Sequence, residues 1–346
     1  MSSKKVIVGM SGGVDSSVAA ALLLEKGYDV IGVTMHVWDE KTSAVDDARR
    51  VADELNIPHY VINFKEIFEN KVIDYFIDDY LKGRTPNPCI ACNKYIKFGA
   101  LLDKALSMKA DFIATGHYAR ISYDEQANRF LLRKAVTKEK DQSYVLYNLS
   151  QEKLGRVLLP IGDYVKSEVR ALAEKYNLPV ASKPDSQEIC FIPDNNYSKF
   201  INDTKKADMK PGYFVDTKGN ILGKHSGIIN YTIGQRKGLG VTFGKPMFVV
   251  KIDSKNNQVV LGEAYEVFSK ELIAGDMNYI SINDIVDEIK ANAKIRYSAK
   301  EAPATIYPLG DKRVKVVFDS PQRAITPGQS IVFYDNDIVV GGGIIE

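Results

Sequence analysis

Apolar residues come in short unbroken runs through the first third of the chain, and between the runs they recur at helical spacing. Val6-Ile7-Val8-Gly9-Met10, Val30-Ile31-Gly32-Val33-Thr34-Met35, His59-Tyr60-Val61-Ile62 and Asp111-Phe112-Ile113-Ala114-Thr115-Gly116 have the length and continuity of buried strands. The intervening segments predict helices over Val18 to Lys26, closed by Gly27, over Asp46 to Leu55, and over Phe68 to Leu81. This alternation predicts an α/β fold with a doubly wound parallel sheet, whose ligands bind beyond the carboxyl ends of the strands. Met10 to Ser16, Met35 and Gly116-His117 fall at those ends and are expected to share one crevice.

After Pro193 the pattern changes to short strands, such as Pro211 to Asp216 and Met247 to Val250, in a stretch rich in glycine and lysine. From about Glu266 onward, strands alternate with turns such as Leu309-Gly310-Asp311 and Thr326-Pro327-Gly328, which predicts a small β-barrel or sandwich. The breaks divide the chain into 1–195, 196–264 and 265–346. A chain of 346 residues is long enough for that division. Its net charge of +2 excludes a global basic field, so a nucleic-acid surface has to be a local patch. Lys134, Lys138 and Lys140, and then Lys294, Arg296 and Lys300, are candidate phosphate-contacting groups. His36, His59 and His225 read as packing or surface histidines. The apolar run after Lys4-Lys5 is too short for a secretory leader, and none reaches the roughly 20 residues of a membrane span. A cytoplasmic enzyme is expected.

The first candidate chemistry lies between the first strand and the first helix. In Ser11-Gly12-Gly13-Val14-Asp15-Ser16-Ser17 the glycines let the backbone approach a phosphate, and the hydroxyls and helix-start amides face the anion. The spacing is not that of a Walker A loop, and the Gly-Lys-Ser/Thr ending is missing. The second candidate is the set of three cysteines. Cys89 and Cys92 form a C-x-x-C where Pro86 and Pro88 end an extended segment and a helix from about Asn93 to Leu106 begins. A helix N-terminus lowers a thiol's pKa, so both are expected to be reactive. Cys190 lies in an extended loop leaving the first domain. Inert or zinc-structural cysteines, sulfur transfer through a persulfide, and an iron-sulfur cluster on Cys89, Cys92 and Cys190 are all compatible with this spacing.

The Ser-Gly-Gly-Xaa-Asp-Ser loop resembles the pyrophosphate loop of the N-type ATP pyrophosphatases. Several motifs together resemble the tRNA-specific 2-thiouridylases, the bacterial MnmA family. They are Gly9 to Ser17, Gly83 to Pro88, Cys92-Asn93, Ile96-Lys97-Phe98, Ala114 to Arg120, Lys140 to Tyr144, Ser186 to Phe191, Thr232 to Arg236 and Pro327-Gly328-Gln329. The resemblance implies a parallel-sheet ATP-pyrophosphatase domain, a small central tRNA-contacting domain and a C-terminal β-barrel. It implies adenylation of the wobble uridine of tRNAs for Lys, Glu and Gln, followed by replacement of its 2-oxygen with sulfur. Gly9, Met10, Ser11, Gly12, Gly13, Val14, Asp15 and Ser16 would hold the phosphates of ATP, with Mg2+ at Asp15. Met35 and Gly116 would contact its nucleoside. Cys92 would be the nucleophile, Cys190 the persulfide carrier, and Asn87, Pro88 and Cys89 the lining of the target base. His117, Lys140, Asp141, Gln142, Arg296, Tyr297 and Gln329 would meet the tRNA anticodon stem-loop. A cysteine desulfurase or sulfur-relay protein would supply sulfur. Many relatives carry Asp where this chain has Cys89, which strengthens the 4Fe-4S alternative, and the Trp38 to Asp46 segment is shorter than in many. Two rivals remain: another ATP-pyrophosphatase-type synthetase acting on a small molecule, and a non-catalytic nucleotide- or RNA-binding module.

Overall fold

Strand β1 (Lys5–Gly9) lies in the middle of a parallel sheet and is buried on both faces. The sheet's other strands are β2 (Asp29–His36), β3 (His59–Asn63), β4 (Phe112–Ala114) and, beyond an antiparallel hairpin of β5 (Ala119–Asp124) and β6 (Arg129–Lys134), β7 (Val157–Leu158). The strand order is β3-β2-β1-β4-β7, and every pair is parallel. Side chains alternate across β1: Val6 and Val8 pack toward helix α1 (Val14–Glu25), and Ile7 packs toward Phe98, Leu101 and Leu102 on the other face. The doubly wound sheet expected from the sequence is present. The computed structural model describes residues 3–38, 42–185, 189–192, 194, 196–205, 210–241 and 244–346. Ser186, Gln187, Glu188 and Pro193 of the motifs, and positions 39–41 of the shortened segment, lie outside the described residues.

Helix α1 starts at Val14, four residues before the periodicity suggests. Asp15, Ser16 and Ser17 belong to its first turn, where polar side chains hide the apolar repeat. The central unit is a four-stranded sheet of β8 (Gly212–Asp216), β9 (Ile221–His225), β10 (Phe248–Asp253) and β11 (Gln258–Gly262), packed on Phe214, Val249, Val259 and Leu261. The last unit contains β12 (Phe268–Tyr279), β13 (Ile289–Lys294), β14 (Ala302–Gly310), β15 (Arg313–Arg323), β16 (Ser330–Asp335) and β17 (Ile338–Ile345). These six strands pair antiparallel, and β12 pairs with β17 to close them into a barrel.

The β5–β6 hairpin was not visible in the apolar pattern. It joins the barrel wall where Arg133 pairs with Ile338, and Arg120 and Arg133 both bind Asp337, at 2.9 and 3.0 Å. Tyrosines complete the junction. Tyr144 Oη donates to Ser330 O at 2.7 Å, and Asn278 Nδ2 donates to the carbonyl of Tyr147 at 2.7 Å. First domain and barrel thus share one continuous buried surface. Because Ile7 is fully buried in the central strand, Ile7→Ala is expected to cost about 2–5 kcal/mol. Chemical denaturation followed by circular dichroism should show an earlier midpoint.

Candidate active site

The loop predicted to bind phosphate has the required form. Gly13 is the N-cap of α1 at φ −106°, and no side chain caps that end. Its first amides are left for an external acceptor, which suits an anion. Ser16 Oγ accepts from the Ser11 amide at 3.2 Å, and Ser17 Oγ donates to Gly13 O at 2.8 Å. Gly12 has φ +67°, and a Cβ there would lie 2.3 Å from Ala44 O. A Cβ on Gly116 would lie 2.5 Å from the Ser16 amide nitrogen, so the end of β4 packs directly on the loop. Gly9 to Ser16 and Gly116 therefore meet as expected. Met35 packs between the cluster around Ile7 and the aromatic cluster that holds Cys92.

Around the loop lie cations that no sequence spacing indicated. Lys166 Nζ is 2.6 Å from Asp15 Oδ1 and 2.8 Å from Asp185 Oδ1, and Tyr118 Oη donates to Asp15 Oδ1 at 2.8 Å. Lys183 Nζ donates to Gly12 O at 2.8 Å and pairs with Asp47. Burial opposes ionisation of Asp185, but hydrogen bonds from Lys166 and Lys140 outweigh it and bring its carboxyl down to about 2. Lys140, expected to face tRNA, is thus engaged with Asp185 at 2.9 Å. Asp141 accepts from Ala135 N and Ser143 Oγ at 3.0 and 2.8 Å, and Gln142 exchanges two hydrogen bonds with the backbone of Tyr118. In this structure the trio shapes the wall beside Asp15.

The thiol helix begins at Pro88, five residues before the start expected at Asn93, because a proline is accommodated at the first helical position. Asn87 is its N-cap, and Asn87 Oδ1 accepts from the amides of Cys89 and Ile90 at 3.1 and 3.3 Å. Helix Pro88–Cys92 places Cys89 and Cys92 one turn apart on one face. The pKa expectation fails. Burial raises both thiols, Cys92 to about 12, and only the Lys97 ammonium pulls them down. Asn87 already satisfies the amides that would have favoured a thiolate, so desolvation prevails. Cys89 is exposed as a residue, yet protein crowds its sulfur.

Lys97 reaches the thiols because the helix is π-helical over Asn93–Ala100. In an α-helix the fifth residue after Cys92 would stand about 140° away; i→i+5 bonding returns it to the same side. Lys97 Nζ lies 3.3 Å from His117 Nε2, and Thr115 Oγ1 lies 2.7 Å from His117 Nδ1. Burial, then Lys97, pushes His117 well below its ordinary range. The neutral ring therefore accepts from Lys97 through Nε2 and donates from Nδ1 to Thr115. His117 is buried close to the thiol helix, and Lys97 is identifiable from residues alone only as part of the Ile96-Lys97-Phe98 motif. Cys190 is exposed, but its neighbours Ile189 and Phe191 pack in the same aromatic cluster as Cys92. Phe191 meets Phe68 and Phe76 edge to face. The Cys190 thiol is near enough to add to the cost of ionising Cys92.

The barrel contributes to this site. Gln329 Nε2 donates to Thr85 O at 2.8 Å and to Pro86 O at 3.4 Å, and Thr85 N donates to Pro327 O at 2.8 Å. Arg296 donates to Ala324 O and Thr326 Oγ1 within the barrel. Tyr297 is 43% exposed, with its ring under the Lys294 ammonium, so of these three expected tRNA contacts it is the one most open to solvent. Lys134 is bound to Glu301 and Asn336 rather than facing outward, whereas Lys138 and Lys300 are exposed. His59 and His225 are bound to Thr34 and to the Asn257 carbonyl, as packing histidines would be.

Among the described residues, no three His, Cys, Asp or Glu side chains are arranged to hold a metal ion. As placed, the three thiols do not make the ligand set a cluster needs. Asp15 is a hard oxygen donor beside an uncapped loop, which fits magnesium held mainly through bound phosphates.

A family model described as tRNA methyl transferase HUP domain matches residues 4–194. Two more, described as tRNA methyl transferase PRC-barrel domain and aminomethyltransferase beta-barrel domain, match 198–263 and 269–345. The tRNA-specific 2-thiouridylase MnmA of Acetivibrio thermocellus is 65% identical and aligned over 100% of both chains. This chain belongs to the tRNA-specific 2-thiouridylase family. The corresponding proteins of Clostridioides difficile and Carboxydothermus hydrogenoformans are 59% and 58% identical, each covering 99% of this chain and 98% of their own. Among solved structures, the U34-tRNA thiolase NcsA of Methanococcus maripaludis aligns with 60% of this chain and 66% of its own, at 21% identity and TM-score 0.37. No helix among the described residues is long and apolar enough to cross a membrane.

Within this 2-thiouridylase fold, two substitutions test the geometry. Gly116→Ala should abolish ATP binding measured by calorimetry, because its methyl would displace the first turn of α1. Lys97→Met removes the cation that opposes desolvation, so the thiol pKa rises further and less thiolate forms. Alkylation of Cys92 at pH 8 should slow about tenfold or more, the effect of losing one close opposite charge.

Proposed function

We propose that this protein activates the wobble uridine of tRNAs for Lys, Glu and Gln with ATP and replaces the 2-oxygen with sulfur carried by its cysteines. The single observation that supports it is the placement of an uncapped phosphate loop and two crowded thiols at the same carboxyl-terminal end of one parallel sheet, the loop's helix on one face and the thiol helix on the other. The family-model descriptions say methyl transferase, whereas the curated relatives are named thiouridylases. A phosphate loop beside paired thiols fits sulfur transfer.

A uridine carbonyl oxygen leaves poorly, so it is first made part of a phosphate ester. The oxygen attacks the α-phosphorus of ATP, pyrophosphate departs, and the base carries AMP. The α1 amides and Lys166 and Lys183 would receive the charge of the phosphates, and magnesium held at Asp15 would neutralise part of it. The wobble base must leave the anticodon stack to reach Asn87, Pro88 and Cys89, which a single-stranded loop permits. Cys92, as thiolate, attacks the inner sulfur of a Cys190 persulfide. A Cys92–Cys190 disulfide forms and hydrosulfide is released. Hydrosulfide adds to C2, AMP leaves with the oxygen, and one proton is lost. A dithiol reductant returns two electrons to the disulfide, and a desulfurase or relay protein reloads Cys190. Lys97 would favour the thiolate, and a neutral His117 would keep Lys97 in place. No step runs through an iron-sulfur cluster.

The test combines protein, ATP, magnesium, a persulfide donor and unmodified tRNA, with pyrophosphate and 2-thiouridine both measured. Cys92→Ser and Cys190→Ser should each abolish 2-thiouridine while tRNA-dependent pyrophosphate release persists. Absence of that release in the unaltered protein would defeat the reading, and thiolation surviving in either variant would remove the role of that cysteine. Cys89→Asp should keep thiolation in air.

A further inference from the structure

Lys294 is the last residue of β13, and its ammonium has ring faces for close neighbours. It lies 5.8 Å from the centre of the Tyr144 ring and 5.5 Å from that of Tyr297, and the two rings meet edge to face. This pair stands beside the thiol helix. Asn93 Nδ2 donates to Val145 O at 2.9 Å, one residue from Tyr144. Burial raises the Tyr297 hydroxyl, and the nearby Asp141 carboxylate and Cys89 sulfur raise it further. Two carboxylates face Lys294, and both are already committed. Asp141 accepts from the amides of Ala135 and Ser143 and from Ser143 Oγ, while Glu301 pairs with Lys134 at 2.7 Å. Burial lowers the Lys294 pKa, Asp141 and Glu301 raise it in part, and Lys134 lowers it again. Among the described residues Lys294 makes no ion pair, so a half-buried cation is held on two rings and lacks a close anion.

We infer that Lys294 binds the everted nucleotide: its ammonium, steered by the Tyr144 and Tyr297 rings, seats one phosphodiester flanking the target uridine while the base enters beside Asn87, Pro88 and Cys89. A phosphate oxygen suits the ammonium because the rings take up its charge without accepting its hydrogens in line. Where a base leaves the anticodon stack the backbone turns with it, and that turn carries a phosphate toward the wall of the pocket. The inference deepens the proposed function and rests on it for the identity of the bound polynucleotide.

The test is a cycle between protein and substrate. Two full-length tRNAs carry a neutral methylphosphonate in place of the phosphodiester immediately before or immediately after the wobble uridine. A deoxyribose precedes the linkage in these and in the reference tRNAs alike. Lys294→Met keeps the length without the charge, and Lys294→Gln keeps a donor without the charge. Melting curves establish that each variant is folded. In filter binding to reference tRNA, both should lose about tenfold in affinity, as for one charge-assisted hydrogen bond. The slope of log affinity against log salt should become shallower by about one in both. One of the methylphosphonate tRNAs should weaken the unaltered protein by that same factor and the two variants by less than about twofold. Unchanged affinity and salt slope in both variants would overturn the inference. So would losses that multiply for both modified tRNAs, since Lys294 would then act away from the target nucleotide. Binding that depends on Lys294 without any 2-thiouridine formed defeats the functional reading, while the cycle still decides the placing of Lys294.

Discussion

The contact on which the site depends is the one between Gly116 and the first turn of α1. With 2.5 Å between a would-be Cβ and the Ser16 amide, there is room only for a hydrogen. That approach lets the end of β4 brace the phosphate loop, and it brings Thr115 and His117 onto the thiol side of the sheet. The loop's shape is then kept by groups with few alternatives: a positive φ at Gly12, the Ser16 and Ser17 hydroxyls, and Asp15 held between Lys166 and Tyr118. Because these partners come from distant parts of the chain, the loop is built by tertiary packing and not by its own seven residues.

The thiols show how burial and charge compete. Helix-start amides favour a thiolate only while they are unspent, and here Asn87 takes them. Desolvation then prevails and raises both sulfurs, with Lys97 as the local counterweight. The π-helical segment contributes to this balance, because i→i+5 bonding turns Lys97 toward the thiol face.

Much of the fold could be read from residues, for reasons that differ by region. Continuous apolar runs such as Val6 to Met10 mark parallel strands because both faces are covered, and the turn signals at Leu309-Gly310-Asp311 mark barrel strands. The start of α1 was misplaced because Asp15, Ser16 and Ser17 carry no apolar repeat. The β5–β6 hairpin escaped because Arg120, Arg129 and Arg133 interrupt its alternation. Motif residues were legible, but the contacts their side chains make within the folded chain were not. Lys140, Asp141, Gln142 and Gln329 each hydrogen-bond inside the protein, and a sequence does not say which partner a side chain has taken. Lys166 and Lys183 stand in no recognisable spacing, so only folding reveals them at the loop.

The hairpin that crosses from the first domain into the barrel wall carries a consequence for how this protein can be dissected. Cutting the chain at the end of the central unit would strip the cover from Tyr144 and Tyr147 and leave an unpaired β-edge at Arg133. Such an edge, bordered by newly bared aromatic surface, is an invitation to aggregate. The three units are separable on paper, but the molecule is built to be inherited, expressed and engineered as one piece.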